Sequence, residues 1–388
     1  MKLSVIAIEV SKGGTANEQI ADCLGQLKDY ISKASYSLRN IISINFFLSA
    51  GNAEAYHDMI RELDNVMPEE IRTGIPVACL AQAPANGARV SAEVFCIPDL
   101  HNTVVTAKKL DGYLYLVIQN NRGEKLVIAN GIGKNNHVKS ITEKAEKVFE
   151  VMEGILHQED LEFSHIFRQW NYIEDITLVE ADDRNSQHYQ QFNNVRSAFY
   201  SRASFSQGYP AATGIGTSAG GVMVSFFAAS QVGHQIFSIE NPLQKAAFNY
   251  TDNVLVGNAE YRGSDKCTPK FSRAKWVESA NSIQVFISGT ASIREETTVG
   301  ENDIARQTEI TLDNIEELIG KETFTSLGKT VAELPRIEFI RVYIKYPQDY
   351  QQVKSICEDR LPGIPGIYVV SDICRKNLLV EIEALASA

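Results

Sequence analysis

One order of elements recurs three times along this chain, and it restricts the fold more than any single motif does. Apolar alternation marks strands and 3.6-residue periodicity marks helices. Read this way, the chain runs helix, strand, helix, then two strands, three times over. The middle strands are INFFLS, IFRQWNYI and IRVYIKY. The closing strand pairs are PVACLAQ with RVSAEVFCI, PAATGIG with GVMVSFFAA, and PGIYVVSDI with LLVEIEAL. Pro76, Pro210 and Pro365 occupy matching places at the start of these pairs, and Glu93 falls opposite Glu381. Repeats of this length are not solenoid units, so each reads as a small α+β unit. The first unit is followed by a meander over Thr103–Lys109, Tyr113–Gln119 and Lys125–Asn130, and the third is preceded by an irregular section, Asn241–Arg273. The expected division is residues 1–132, one unit plus the meander, and residues 133–388, the two further units.

The stretch Tyr209–Gly221, YPAATGIGTSAGG, is the expected centre. Glycines at this density allow backbone to approach backbone or a ligand closely. The stretch lacks the Lys-Ser/Thr of a P-loop, so it is not read as a phosphate cradle. The helix before it carries Phe192, Val195 and Phe199 on one face, and Arg196 among them. A guanidinium keeps its charge, so Arg196 needs an anionic partner if it is buried.

Composition excludes several classes. A net charge of −11 and 37 Lys and Arg against 48 Asp and Glu argue against a nucleic-acid or anionic-membrane surface. No apolar run reaches the length of a membrane span, and Lys2 followed by LSVIAIEV does not read as a signal peptide. The six cysteines form no CxxC pair and the seven histidines are scattered, so neither a metal nor a cofactor is expected. Free thiols in a reducing cytoplasm are the expectation.

The closing strand pairs resemble those of the RidA (YjgF) family, small proteins that form trimers with ligand sites between subunits. Three units in one chain would then make an intramolecular trimer: a pseudo-threefold barrel with helices outside, and a monomer in solution. A second resemblance is more specific. RQWNYI (Arg168–Ile173), QFNNVR (Gln191–Arg196), YPAATGIGT (Tyr209–Thr217), SIENP (Ser238–Pro242), FSRA (Phe271–Ala274), SGTAS (Ser288–Ser292) and DICRKNLLVEIE (Asp372–Glu383) resemble, in order, the chorismatase family of secondary metabolism.

Chorismatases take chorismate apart into pyruvate and a ring acid. The resemblance implies that Glu381 protonates the enolpyruvyl methylene. Such an enol ether becomes reactive when its CH2 carbon takes a proton, and a carboxyl can supply it near neutral pH if burial raises its pKa. Alternation in LLVEIEAL puts Glu381 and Glu383 on one strand face, so the pattern alone does not choose between them. Gly289 and Cys374 resemble the pair found in members that make 3-hydroxybenzoate through an arene oxide, the glycine leaving room for the ring. Hydrolytic members carry alanine at the first place and lack the cysteine, which leaves a dihydrodiol product as the alternative. The dicarboxylate substrate calls for bidentate donors. The resemblance supplies Arg196 and Arg273, with Tyr209, Tyr250 and Tyr261 as phenols, Thr213 and Gly214 on the glycine-rich stretch, and Lys345.

The chain also departs from the family. IREETT (Ile293–Thr298) replaces a Gly-His pair and brings Glu295 and Glu296, which leaves an aminated chorismate open. YRGSDKCTP stands in a loop that is shorter in the family, and PGI at Pro365–Ile367 lacks the arginine of RidA deaminases. A catalytically silent metabolite-binding protein is the alternative of another class.

Overall fold

The computed structural model describes residues 1–11, 13–133, 140–180, 186–256, 266–280, 282–328 and 333–388. The first unit comprises β1 (Ser4–Glu9), α1 (Ala16–Lys33), β2 (Ile41–Leu48), α2 (Ala53–Val66), α3 (Glu69–Gly74), β3 (Val77–Leu80), β4 (Ala83–Pro84) and β5 (Val90–Cys96). A hairpin, β6 (Thr103–Leu110) and β7 (Tyr113–Asn120), leads into the second. That unit holds β8 (Lys125–Ile132), α4 (Ile141–Gln158), β9 (Ile166–Glu174), α5 (His188–Tyr200), β10 (Ala211–Thr217) and β11 (Val222–Ala229). A further pair, β12 (Gln235–Ile239) and β13 (Ala274–Ser279), leads into the third. It holds β14 (Ser282–Ala291), β15 (Ile293–Arg294), β16 (Thr297–Thr298), α6 (Ile304–Leu318), α7 (Lys321–Ser326), β17 (Arg336–Ile344), α8 (Tyr350–Arg360), β18 (Gly366–Val370) and β19 (Val380–Ser387).

The three units share one topology. In each, the first strand pairs antiparallel with the last, the last pairs antiparallel with the middle strand, and the middle strand pairs parallel with the third. A parallel neighbour requires a crossover, which α2 with α3, α5 and α8 supply. The closing strands are therefore not neighbours, as a simple hairpin would make them; the middle strand lies between them. Pro76, Pro210 and Pro365 each stand one residue before the third strand, where a missing N–H costs the ladder nothing. The meander is hydrogen-bonded into the middle sheet, with β8 as that unit's first strand.

Each sheet buries one face under its own helices and turns the other toward a shared core. There Phe95 of the first unit meets Phe227 of the second at 5.1 Å, and Phe167 meets Phe286 of the third at 5.0 Å between ring centroids. Helices outside and sheets inside match the expectation, but the sheets do not close into a barrel. Among the described residues they remain separate ladders of four, six and seven strands, with a two-stranded ribbon of β15 and β16. Packed side chains and short backbone contacts, such as the pairing of β4 of the first unit with β18 of the third, join the units.

The glycine-rich stretch is one such junction. Gly216 on β10 donates its N–H to Asp372 O of the third unit, and its carbonyl accepts from Gln82 Nε2 of the first and from Ser371 Oγ of the third, both at 2.7 Å. A Cβ at Gly216 would lie 2.7 Å from Asp372 O, so the close backbone approach needs glycine.

A buried ion network forms the other junction. Glu93 of the first unit binds Arg341 of the third through two hydrogen bonds; Arg341 also reaches Glu383 at 3.4 Å, and Glu383 binds Arg168 of the second at 2.7 Å. Two cations face two anions, so the cluster carries no net charge into the core. The register also corrects the placement of Glu93. It lies two residues before inward-facing Phe95, as Glu383 lies two before Leu385, and the cross-strand partners Asn45 and Arg341 correspond. Glu93 therefore matches Glu383, not Glu381.

Candidate active site

A cavity of about 480 Å³ lies between the second and third units. Its floor comes from Gly289 on β14, Glu381 on β19 and Cys374 on the β18–β19 connection. Tyr189 and Asn193 on α5 and Gly214 on β10 form one wall; Tyr250 and Arg273, ahead of β13, form the other. Cys374 and Glu381 thus line one cavity.

Glu381 and Glu383 share a strand face but not an environment. Glu383 accepts from Trp170 Nε1 at 2.7 Å, Thr213 Oγ1 at 2.5 Å and Tyr343 OH at 3.1 Å, besides its two arginines. Burial pushes its carboxyl up, but Arg341, Arg168 and these hydrogen bonds together hold it below the usual range. Glu381 lines the cavity, and no hydrogen bond engages its carboxyl among the described residues. Burial, reinforced by the charge on Glu383, pushes it up to about 8 despite Arg168 and Arg273. One carboxylate is fixed as a structural anion; the other is an acid that holds its proton at neutral pH.

Gly289 is explained by that acid. A Cβ at residue 289 would overlap Oε1 of Glu381 and stand 2.9 Å from its Cδ. The glycine therefore makes room for the carboxyl itself, where the resemblance implied room for a substrate ring. Gly214 plays a parallel part: a Cβ there would meet the Tyr189 ring at 2.7 Å. The Cys374 thiol is pushed up to about 12 by burial and by Glu381, so it remains a neutral S–H rather than a thiolate nucleophile.

Two guanidiniums flank Tyr250. Arg273 donates to its hydroxyl at 2.7 Å, with its Cζ 5.7 Å from the ring centre, and the Cζ of Arg375 lies 5.2 Å from the same ring. Arg375 was not among the residues expected from sequence, although it directly follows Cys374. Arg375 also donates to Glu296 O at 2.7 Å. Glu296 lines the cavity, but its carboxylate accepts from Thr251 N and Thr251 Oγ1 at 2.9 and 2.6 Å and meets Lys245 Nζ at 3.2 Å. The Thr251 bonds, then Lys245, hold it down to about 2. Its charge is thus occupied within the wall and does not face a ligand amine.

The remaining expected residues sit elsewhere. Thr213 lies behind the floor: its hydroxyl donates to Glu383 and accepts from Arg168 Nη2 and from Gly289 N, at 2.7 and 3.0 Å. Arg196 is 1% exposed, donates to Asn193 Oδ1 at 2.6 Å, and has no carboxylate partner among the described residues. Tyr209 lines a second cavity. Lys345 is at the surface, where its ammonium donates to Lys376 O. Tyr261 falls outside the described residues. Among the described residues no group of three or more His, Cys, Asp or Glu is arranged to hold a metal ion, and no helix is long and apolar enough to cross a membrane.

Comparison with known proteins bears on the fold. Residues 116–228 match the family described as chorismatase FkbO/Hyg5-like, N-terminal. A 3-hydroxybenzoate synthase of Streptomyces hygroscopicus is 33% identical over 235 residues, covering 58% of this chain and 65% of that protein. The chain thus matches somewhat under two thirds of that relative's length. The crystal structure of a chorismatase aligns over 99% of this chain and 98% of its own, with a TM-score of 0.70 and 20% identity, and the two share a fold. The YjgF gene product of E. coli covers 38% of the chain at a TM-score of 0.24.

Proposed function

We propose that this chain, which has the chorismatase fold and carries a chorismatase FkbO/Hyg5-like N-terminal domain over residues 116–228, converts chorismate to 3-hydroxybenzoate and pyruvate. The observation that carries this reading is the contrast between the two carboxyls of β19. Glu383 is fixed by five partners, whereas Glu381 faces the cavity with no hydrogen bond among the described residues.

In this reading Glu381 gives its proton to the methylene carbon of the enolpyruvyl ether, and the neighbouring carbon becomes an oxocarbenium. The bond between ring C3 and the ether oxygen then breaks, its electrons leaving with pyruvate. The C4 hydroxyl oxygen closes on C3 and returns a proton to the Glu381 carboxylate. The resulting arene oxide opens, loses a ring proton and gains one on oxygen, giving the phenol. Substrate and products balance with no added reagent. Arg273 and Arg375 are two cations available to the substrate carboxylates at the cavity wall, and Tyr250 spaces them apart. Arg196 lies behind Asn193, so a dianion in the cavity would offset a buried cation whose partners among the described residues are one hydrogen bond and the Phe192 face, 5.5 Å away.

The direct test is incubation with chorismate. Pyruvate release with an equal amount of 3-hydroxybenzoate by chromatography is expected; pyruvate absent from a folded preparation overturns the reading. The pH profile has a stated sign. Glu381 acts as an acid, so kcat/KM is flat below its pKa and falls as pH rises through about 8. A limb that instead rises through that range would assign Glu381 as a base.

Gly289 and Cys374 bear on the product. Alanine at residue 289 pushes the Glu381 carboxyl aside, and alanine at 374 removes the neighbouring thiol and opens space for water. The double variant Gly289→Ala, Cys374→Ala is expected to release pyruvate more slowly, with less 3-hydroxybenzoate and more dihydrodiol acid per pyruvate. The singles give mixtures that need not add, since both positions border one carboxyl. An unchanged ratio in the double variant removes these two residues from product control.

A further inference from the structure

A second cavity, of about 700 Å³, shares no lining residue with the first. The two lie on opposite sides of residues 269–273: Pro269, Phe271 and Arg273 line the first, Lys270 and Ser272 the second. An alternating segment thus serves as the partition between them.

The chemistry of the second cavity is aromatic and cationic. The Tyr209 ring stands 4.7 Å from Phe205, 5.4 Å from Phe248 and 6.1 Å from Tyr200 between centroids, and all four rings line the space. Lys270 reaches the same space, its ammonium 6.0 Å from the Tyr209 ring centre and donating to Thr268 Oγ1 at 2.8 Å. Arg196 is close enough to act electrostatically on Tyr200, Tyr209 and Lys270. Neither Lys270 nor Arg196 has a carboxylate partner among the described residues. An ammonium without a carboxylate partner in a partly desolvated place favours an anion beside it. Burial shifts the Lys270 pKa downward; Cys267 opposes the shift, and Arg196 adds a smaller push in the same direction as burial. Glu240 is the one carboxyl among the described lining residues. Burial raises its pKa against the pull of Ser272, Arg273 and Lys275, and its oxygens are buried away from the open space.

We propose that this cavity is a second ligand site, taking an aromatic monocarboxylate. The ring packs against Tyr209, Phe205 and Phe248, and the carboxylate pairs with Lys270. The ligand class is read from the cavity alone; that the enzyme's own ring acid is such a ligand rests on the proposed function. A product held there leaves the first cavity free for the next substrate.

Calorimetric titration of the full chain with benzoate tests this without turnover, so failure of the chorismate reading leaves the test standing. Lys270→Gln is expected to weaken benzoate binding about tenfold, as loss of a charge-assisted hydrogen bond does. Phe248→Ala is expected to weaken it as well, with Lys270 intact. Arg375→Gln, in the first cavity, should leave the Lys270-dependent part of the binding within about twofold. Cyclohexanecarboxylate, with the charge but no π face, should bind more weakly than benzoate. Absence of binding at millimolar benzoate, indifference of a folded Lys270→Gln protein, or an equal or greater loss in Arg375→Gln overturns the proposal.

Discussion

Glu381→Gln loses between about 10²- and 10⁴-fold in pyruvate release from chorismate, the range that a positioned general acid contributes. The substitution keeps the size of the side chain and its place beside Gly289, but the amide has no proton of suitable acidity to give. Since no hydrogen bond engages the Glu381 carboxyl among the described residues, no bond within the fold is expected to break. Thermal unfolding should stay close to that of the parent protein. The added amide also removes the reason for an alkaline limb near pH 8, so residual activity should lose that dependence. Steady-state pyruvate assays across pH read both effects. Near-parental turnover in the Gln variant would reassign the acid, and the fixed geometry of Glu383 would make that residue a poor replacement.

Arg341→Met is expected to cost about 3–5 kcal/mol of stability, the range for removing one partner of a buried pair. Arg341 is completely buried, and its loss strands Glu93 and Glu383 together in the core with only Arg168 to balance them. The same change removes the donors to the Tyr172 and Tyr343 hydroxyls, each at 3.0 Å. Urea unfolding monitored by tryptophan fluorescence measures the shift, because Trp170 donates to Glu383 inside the network. A cost under about 1 kcal/mol, the scale of an exposed pair, would mean the network is not holding the units together. The paired change Glu93→Gln with Arg341→Met should recover part of the loss, since it removes one of the stranded charges.

The architecture was legible because local patterns repeat. INFFLS, IFRQWNYI and IRVYIKY lie within β2, within β9 and across most of β17 respectively or overrun them by one or two residues, and the three prolines mark three strand starts. What local patterns do not carry is which strands pair, so the third and last strands looked like partners when each flanks the middle strand. β13 escaped notice for a different reason. Its AKWVES reads as half polar, yet Lys275 is buried, its ammonium donating to the carbonyls of Gln207, Gly208 and Tyr209 and to Ser238 Oγ. At the site, Glu381 and Glu383 are equivalent by alternation and differ through partners distant in sequence, Arg168, Trp170 and Thr213 from the second unit and Arg341 and Tyr343 from the neighbouring strand. Thr213 shows the same limit: its hydroxyl meets a carboxylate 170 positions away, which no reading of neighbours finds.

The register that matches Glu93 with Ser225 and Glu383 matches, one inward position earlier, Ser91 with Met223 and Glu381. A self-assembling trimer of identical subunits has no such freedom, because any residue it adopts appears at all three interfaces at once. Three buried carboxyls, each strained toward neutrality by desolvation, would be the toll for one working acid. Covalent linkage breaks that rule. A serine and a methionine occupy the two sister positions, so the destabilising group is confined to a single cleft while the other two corresponding positions stay uncharged.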